Sequence, residues 1–334
     1  MTLLRGTVIV VAASVALTAC GTTSENRGGS GPTSGASAKC KGTTGKYVIG
    51  MSQANVAEPY RQRMDDDIRA AAKGVPQFEV RFADAQQDNA RQVSDVENFM
   101  TQQIDLLIIS PNEAKPLTAV VKTAYDKGVP VLVLDRKVEG DAYTSWIGAD
   151  NVDIGRQAGK YVAEKLLPNG GKVAEIRGLA GSTPAKERGD GFREAIQGKN
   201  IDIVVSQDGD WLREKGQEKA DAILKSNPDV PVIYSHNDPM AEGAYLAAKA
   251  AGKQDSIKFI GIDGLPIPSG GLKAVEAGRL SATFIYPTAG KEAVDAAKKI
   301  LVDCQSVPKT QTLQTQLITK DNATEVYAKA NGGQ

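Results

Sequence analysis

An acid and a base stand together where a buried strand should end. The run Val129-Pro130-Val131-Leu132-Val133-Leu134 is continuous and apolar, and Asp135-Arg136 closes it. An apolar run without alternation suits a strand buried on both faces, as in a parallel sheet. Ligands of open α/β sheets bind at the carboxyl ends of such strands. Asp135 supplies acceptor oxygens and Arg136 a rigid fork of N–H donors, a combination suited to a ligand with neighbouring hydroxyls. An ion pair that only caps the strand is the competing reading, and these two residues alone do not decide between them.

Other apolar runs also end in polar or aromatic residues. Ser52-Gln53 follows the first, ahead of Glu58-Pro59-Tyr60-Arg61, and Ser110-Pro111-Asn112 follows the third. Asp208-Gly209-Asp210-Trp211, Tyr234-Ser235-His236-Asn237-Asp238 and Gly261-Ile262-Asp263-Gly264 close three more, and Pro184 to Gly189, containing Arg188, opens a helix. Singly, each has a structural reading: Asn237 and Asp238 as helix N-caps, Asp263-Gly264 as a turn, Trp211 as core. Together they gather arginines, carboxylates and aromatics at one end of parallel strands.

Several chemistries find no support. His236 is the single histidine, which removes the usual zinc clusters and makes Ser-His-Asp catalysis a poor fit. No Walker loop, dinucleotide-binding glycine fingerprint or Gly-x-Ser-x-Gly elbow is present. Asp65-Asp66-Asp67 resembles a cation site, but consecutive helix positions point about 100° apart. These acids read as a solvated helix face. No catalytic residue, metal site or cofactor is expected.

The elements that must position these residues alternate from Lys46 onward. Strands are expected at 47–51, 78–82, 106–109, 131–134, 146–147, 173–176, 201–205, 232–234, 257–260 and 282–285, with a last one near 313–318. Helices are expected at 59–73, 89–103, 117–127, 152–167, 185–197, 212–226, 239–251, 272–277 and 290–302. Repeated strand–helix units build parallel sheets covered by helices. There are too many for one sheet, so the chain reads as α/β with two doubly wound domains. The length of 334 residues agrees. A cleft between the domains would gather the strand ends of both. With 40 basic and 40 acidic residues, neither nucleic acid nor an anionic membrane surface is expected as a partner.

Residues 1–19 hold one basic residue, Arg5, then a short apolar run and small residues. The run is shorter than the roughly 20 residues that span a bilayer and fits a secretory signal. Leu17-Thr18-Ala19-Cys20-Gly21 resembles the lipobox of bacterial lipoproteins, which implies lipidation at Cys20. The chain would then be exported and lipid-anchored to the outer face of the cell membrane, without spanning it. Residues 20–45, rich in Gly, Ser and Thr, read as a flexible tether, with a reach of about 25–30 Å. In an oxidising setting Cys40 and Cys304 are expected to form a disulfide, two free thiols being the alternative.

Taken in order, the motifs become specific. They are Ile49-Gly50-Met51-Ser52-Gln53, Asp84-Ala85-Gln86-Gln87, Leu134-Asp135-Arg136, Gly148-Ala149-Asp150-Asn151, Glu187-Arg188-Gly189-Asp190-Gly191-Phe192, Ser206-Gln207-Asp208-Gly209-Asp210-Trp211, His236-Asn237-Asp238-Pro239-Met240 and Ile262-Asp263-Gly264. From Lys46 to about Ala330 the chain resembles the periplasmic sugar-binding proteins of the ribose-binding type, and among these galactofuranose-binding proteins most. The resemblance implies the type I periplasmic binding protein fold, two lobes joined by a three-segment hinge. The crossings would follow Arg136, lie near Asp263-Gly264, and lie between Cys304 and Thr310. One lobe would be 46–136 plus 265–304 and the other 137–264 plus 305–334, which puts both cysteines with the first.

Carried over by position, the resemblance implies a hydrogen-bonding set of Asp135, Arg136, Arg188, Asn237 and Asp263. Trp211 would lie against an apolar sugar face, and Ser52 would contact the ligand at the first strand end. Ribose binders have Asn-Pro-Phe-Phe where this chain has Glu58-Pro59-Tyr60-Arg61, and a glutamine where it has Tyr286. Galactofuranose binders share an arginine at the position of Arg61. The departures make the pocket more polar and favour a furanose hexose, another pentose or a polyol over ribose.

The expected function is that of a solute-binding lipoprotein of an ABC importer. It would be monomeric, capture a small neutral sugar or polyol by hinge closure and deliver it to the permease subunits. A sugar-sensing receptor subunit for chemotaxis or signalling is the main alternative. A repressor-type effector domain would need a DNA-binding element at the N-terminus, and a sugar-processing enzyme would need paired acids for acid–base work.

Overall fold

The computed structural model describes residues 39–332. The expected signal 1–19, the lipidation site Cys20 and the tether up to residue 38 lie outside the described residues. Strands and helices alternate as β1 (Tyr47–Gln53), α1 (Pro59–Ala72), β2 (Phe78–Asp84), α2 (Asn89–Thr101), β3 (Leu106–Ser110), α3 (Ala114–Asp126), β4 (Val131–Leu134) and β5 (Ser145–Ala149). They continue as α4 (Asn151–Tyr161), β6 (Gly171–Arg177), α5 (Thr183–Ile196), β7 (Ile201–Asp208), α6 (Arg213–Ser226), β8 (Val232–Ser235), α7 (Asp238–Ala250) and β9 (Lys258–Ile260). Last come α8 (Gly271–Glu276), β10 (Thr283–Ile285), α9 (Gly290–Leu301), β11 (Thr310–Leu313), β12 (Gln316–Ile318) and α10 (Ala323–Ala330).

Two sheets result. The first has the order β11-β5-β4-β3-β1-β2 with every pair parallel. The second has the order β7-β6-β8-β9, also parallel. It is extended by β10 through the bridges Ile260–Ala282 and Asp263–Ile285, with β12 antiparallel to β10. Central strands β3, β4 and β5 are buried throughout, as their apolar runs require, whereas the edge strand β2 has no buried residue. The first sheet keeps Leu107, Ile109, Val131 and Val133 on one face with the apolar sides of α2 and α3, and Leu106, Ile108, Leu132 and Leu134 on the other. This is the α/β architecture of the type I periplasmic binding proteins.

Three expected crossings move. β5 pairs with β4, Val133 opposite Trp146, so a boundary after Arg136 would cut the first sheet. The chain passes to the second sheet after Ala149, at the start of α4. β10 lies beside β9, so the second passage falls after Ile285 rather than near Asp263-Gly264. There Ala289 takes a left-handed turn, φ 63°. The single strand expected near 313–318 is two strands, β11 in the first sheet and β12 beside β10. The third passage is therefore Gln314-Thr315, not the segment after Cys304. Partner choice in a parallel sheet depends on contacts far apart in sequence, which no local pattern records.

The end of the expected tether is fixed onto the body. Cys40 and Cys304 are joined in a disulfide with their Cα atoms 5.6 Å apart. Lys41 pairs with Asp105 at 2.8 Å, and its N–H donates to the Tyr47 hydroxyl at 2.8 Å. The Asp65–Asp67 acids diverge as helix spacing demands, but they do not form one solvated face. Asp65 is buried and accepts from Gln53 at 2.8 Å, Asp66 is exposed beside Arg69, and Asp67 meets Arg63 and Thr288. Burial pushes the Asp65 carboxyl up to about 6.

Candidate ligand-binding site

The carboxyl ends of the two sheets face a small common cavity. The first sheet contributes Asp135 and Arg136 from the end of β4, and Glu58, Tyr60 and Arg61 from the start of α1. The second contributes Pro184 and Arg188 of α5, Trp211 after β7, Asn237 after β8 and Asp263 after β9, and Tyr286 follows β10. Ten of the eleven residues singled out from sequence therefore line one space. Ser52 does not: it is buried in β1 and its hydroxyl has no hydrogen-bond partner. Pro184 was not anticipated as lining, although it lies in a segment flagged for Arg188.

Local structure explains how each group is aimed. Asp135 takes left-handed φ of 60°, which turns the chain at once out of β4, and an aspartate tolerates this better than most residues. Its N–H donates to Ile147 O at 2.9 Å, and its carbonyl accepts from Trp146 Nε1 at 3.2 Å. Trp211 is also left-handed, φ 71°. A side chain on Gly178 would approach the Trp211 ring to 2.0 Å, so that glycine is needed for the ring's position. Asn237 caps α7, its Oδ1 accepting from Met240 N at 3.0 Å while its Nδ2 donates to Trp211 O at 2.9 Å. Cap and site are one residue, so the two readings of Asn237 are compatible.

The charged groups form a dense buried network. Arg61 meets Asp135 Oδ2 at 2.7 Å and donates to Ser110 Oγ at 2.6 Å. Arg136 donates to Asn112 O at 2.8 Å and reaches Glu58 at 3.5 Å. Glu58 also accepts from Asn55 at 2.6 Å. Arg188 donates to Asn151 Oδ1 at 2.8 Å and to the His236 carbonyl. The Arg136 and Arg188 guanidiniums each stand 5.4 Å from the Trp211 ring centre, within cation–π range. Asp135, Arg136 and Arg188 are each at most 3% exposed, so their placement owes little to solvent.

Proton affinities follow from this environment. Burial alone would raise the Asp135 carboxyl, but Arg61, Arg136 and the Tyr286 hydroxyl hold it below the usual range. Burial, reinforced by Arg61, lowers Arg136 to about 10 against the pull of Glu58 and Asp135. Asp263 is pushed well up by burial and by neighbouring Asp238, which outweigh Arg188. Asp238 accepts from Thr283 at 2.6 Å and from Gly264 N at 2.8 Å, and burial still pushes it up. His236 lies behind the site, its ring against buried Glu175 at 3.1 Å. Glu175 is in turn held by Arg193 at 2.6 Å.

Two parallel sheets with converging strand ends and a buried polar cavity between them define a solute-binding protein of the two-lobed type. The periplasmic binding protein domain family matches residues 49–303, and the chain belongs to it. The ribose import binding protein of Bacillus subtilis is 34% identical over 262 residues, covering 78% of this chain and 83% of its own. The fructose-binding periplasmic domain of a hybrid two-component system is 40% identical with a TM-score of 0.83, covering 86% of this chain and 95% of that one. A galactofuranose-binding protein is 29% identical with a TM-score of 0.81, covering 86% and 99%. Each of these relatives is named as a sugar-binding protein or domain.

Proposed function

We propose that the chain captures a small neutral monosaccharide or polyol in this cavity by closing its two lobes, as the solute-binding component of an ABC importer. The observation that carries the reading is that two of the three guanidiniums lining the cavity are paired with carboxylates. Arg61 is paired with Asp135 and Arg136 reaches Glu58, so these guanidiniums present directional donors without calling for an anionic ligand. Donor forks from both sheets and the Glu58 and Asp135 carboxylates of the first suit vicinal hydroxyls, and Trp211 suits an apolar sugar face. Ribose, fructose and galactofuranose are named for the relatives, and Arg61 with Tyr286 favours a furanose hexose, a pentose or a polyol. We further propose export with a lipid at Cys20, a monomeric state and delivery to permease subunits.

A second reading, a sugar-sensing receptor subunit, is favoured by one observation: the fructose-binding relative is part of a two-component system. Disrupting the protein in cells separates the two. Loss of sugar uptake supports transport, whereas normal uptake with a lost transcriptional or motile response supports sensing. The binding claim itself is tested by thermal shift against aldoses, ketoses, furanoses and polyols, with sugar phosphates and amino acids as controls. A ligand at 1,000 times its Kd stabilises by about 4 kcal/mol. A shift only with the anionic controls would overturn the neutral-sugar reading.

A further inference from the structure

A chain of hydrogen bonds joins the two sides of the cavity through the hinge. The Tyr286 hydroxyl donates to Asp135 Oδ1 at 2.6 Å and accepts from Asn151 Nδ2 at 3.2 Å. Asn151 Oδ1 then accepts from Arg188 Nε at 2.8 Å. Arginine only donates, so the Asn151 oxygen must face it and the amide nitrogen must face the tyrosine. Asp135 ends β4 in the first sheet, and Arg188 lies in α5 beside the second. Both intermediate residues lie where the chain changes sheets. Asn151 starts α4 after β5, and Tyr286 follows β10 ahead of α9.

All four residues are nearly without exposure, at 3%, 3%, 1% and 3% for Asp135, Tyr286, Asn151 and Arg188. Asn151 is not among the cavity-lining residues, so its amide serves the protein and not a ligand. The Tyr286 hydroxyl spends its donor on Asp135, a charge-assisted bond of the stronger kind. Its ring packs 5.4 Å from Tyr60 and 4.6 Å from the Arg188 guanidinium. The tyrosine thus touches groups of both sides from a hinge position.

We propose that Asn151 and Tyr286 are positioning residues that form a closure latch. They hold Arg188 and Asp135 in place for the ligand and favour the closed arrangement of the lobes over an open one. The role rests on the proposed capture by hinge closure, and it assigns Tyr286 to the hinge as much as to the ligand. A latch formed on closing slows release and leaves encounter with the open form untouched. A residue that only contacted the sugar would leave the ligand-free lobes unaffected.

The test compares wild type, Tyr286→Phe, Asn151→Ala and the double variant. Tyr286→Phe removes one oxygen and keeps the ring, so it carries the test alone if Asn151→Ala fails to fold. Stopped-flow binding of the sugar that most stabilises wild type should show koff raised about tenfold and kon changed less than about twofold. The double variant should be no worse than the worse single one, since both break one chain. Small-angle scattering of ligand-free protein should give a larger mean radius for Tyr286→Phe than for wild type. Unchanged koff, a loss confined to kon, or additive effects overturn the latch. If wild type binds no sugar, the proposed function fails, and ligand-free scattering decides the latch: equal radii overturn it.

Discussion

Replacing Asp135 by asparagine removes a charge while keeping the side chain's shape. The carboxylate is 3% exposed, 2.7 Å from Arg61, 2.6 Å from the Tyr286 hydroxyl and 3.9 Å from Arg136. Without it, Glu58 is the main anion facing Arg61 and Arg136. Removing one partner of a buried pair costs about 3–5 kcal/mol. At about 2 °C or more per kcal/mol for a chain of this size, Tm should fall by about 6 °C or more in calorimetry near pH 7. Lost charge-assisted acceptance from a hydroxyl should weaken sugar binding about ten- to a hundredfold by titration calorimetry. The acid limb supplies a further check. Asp135 has a folded pKa below its unfolded value, so its contribution is present above about pH 4 and is lost as pH falls through the folded pKa. The difference between wild type and Asp135→Asn should therefore shrink in acid. An asparagine variant with unchanged Tm and unchanged affinity would refute the central place given to this carboxylate.

Asp238 should act in the opposite direction, because burial raises it to about 7. The folded state then binds the extra proton between about pH 4 and that value, so this group's contribution falls as pH rises across the window. Asp238→Asn can still accept from Gly264 N, and its melting temperature should decline less from pH 5 to pH 8 than that of wild type; equal declines would remove the group from the titration. The Cys40–Cys304 bridge spans 264 positions, and loops this long are stabilised by up to about 5 kcal/mol in the chain-entropy view. Reduction should lower Tm, and an unchanged Tm with two titratable thiols would show that the bridge contributes nothing. Arg136→Ala should lose sugar binding and remain folded, and undiminished affinity would exclude that guanidinium from the site.

Much of this architecture was legible because its signals are local. The runs Leu106–Ser110 and Val131–Leu134 read as buried strands since both faces are covered, and the abrupt change at Asp135-Arg136 marked where one leaves the sheet. Which sheet a strand joins was not legible. β5 and β11 lie side by side at one edge with more than 150 residues between them, and nothing in Ser145–Ala149 names that partner. The turn at Gln314-Thr315 was likewise missed, because one apolar stretch can continue a strand or split between two. Helix α10 went unread: it is short, and only Ala323 in it is buried. Within the site, types of residue were readable from strand-end position, but supporting roles were not. Asn112 and Asn151 stood in flagged motifs, yet that they hold Arg136 and Arg188 follows only from three-dimensional placement. Ser52 shows the reverse error, a strand-end polar residue whose place is in the core.

The most direct test is a crystal structure grown with the sugar or polyol that most raises Tm. Electron density should fill the cavity between the sheets, with hydroxyl oxygens within hydrogen-bond distance of Asp135 or Arg136 on one side. On the other side they should reach Arg188, Asn237 or Asp263, and one ring face should lie on Trp211. A ligand bound elsewhere, or contacts confined to one sheet, would contradict capture by closure.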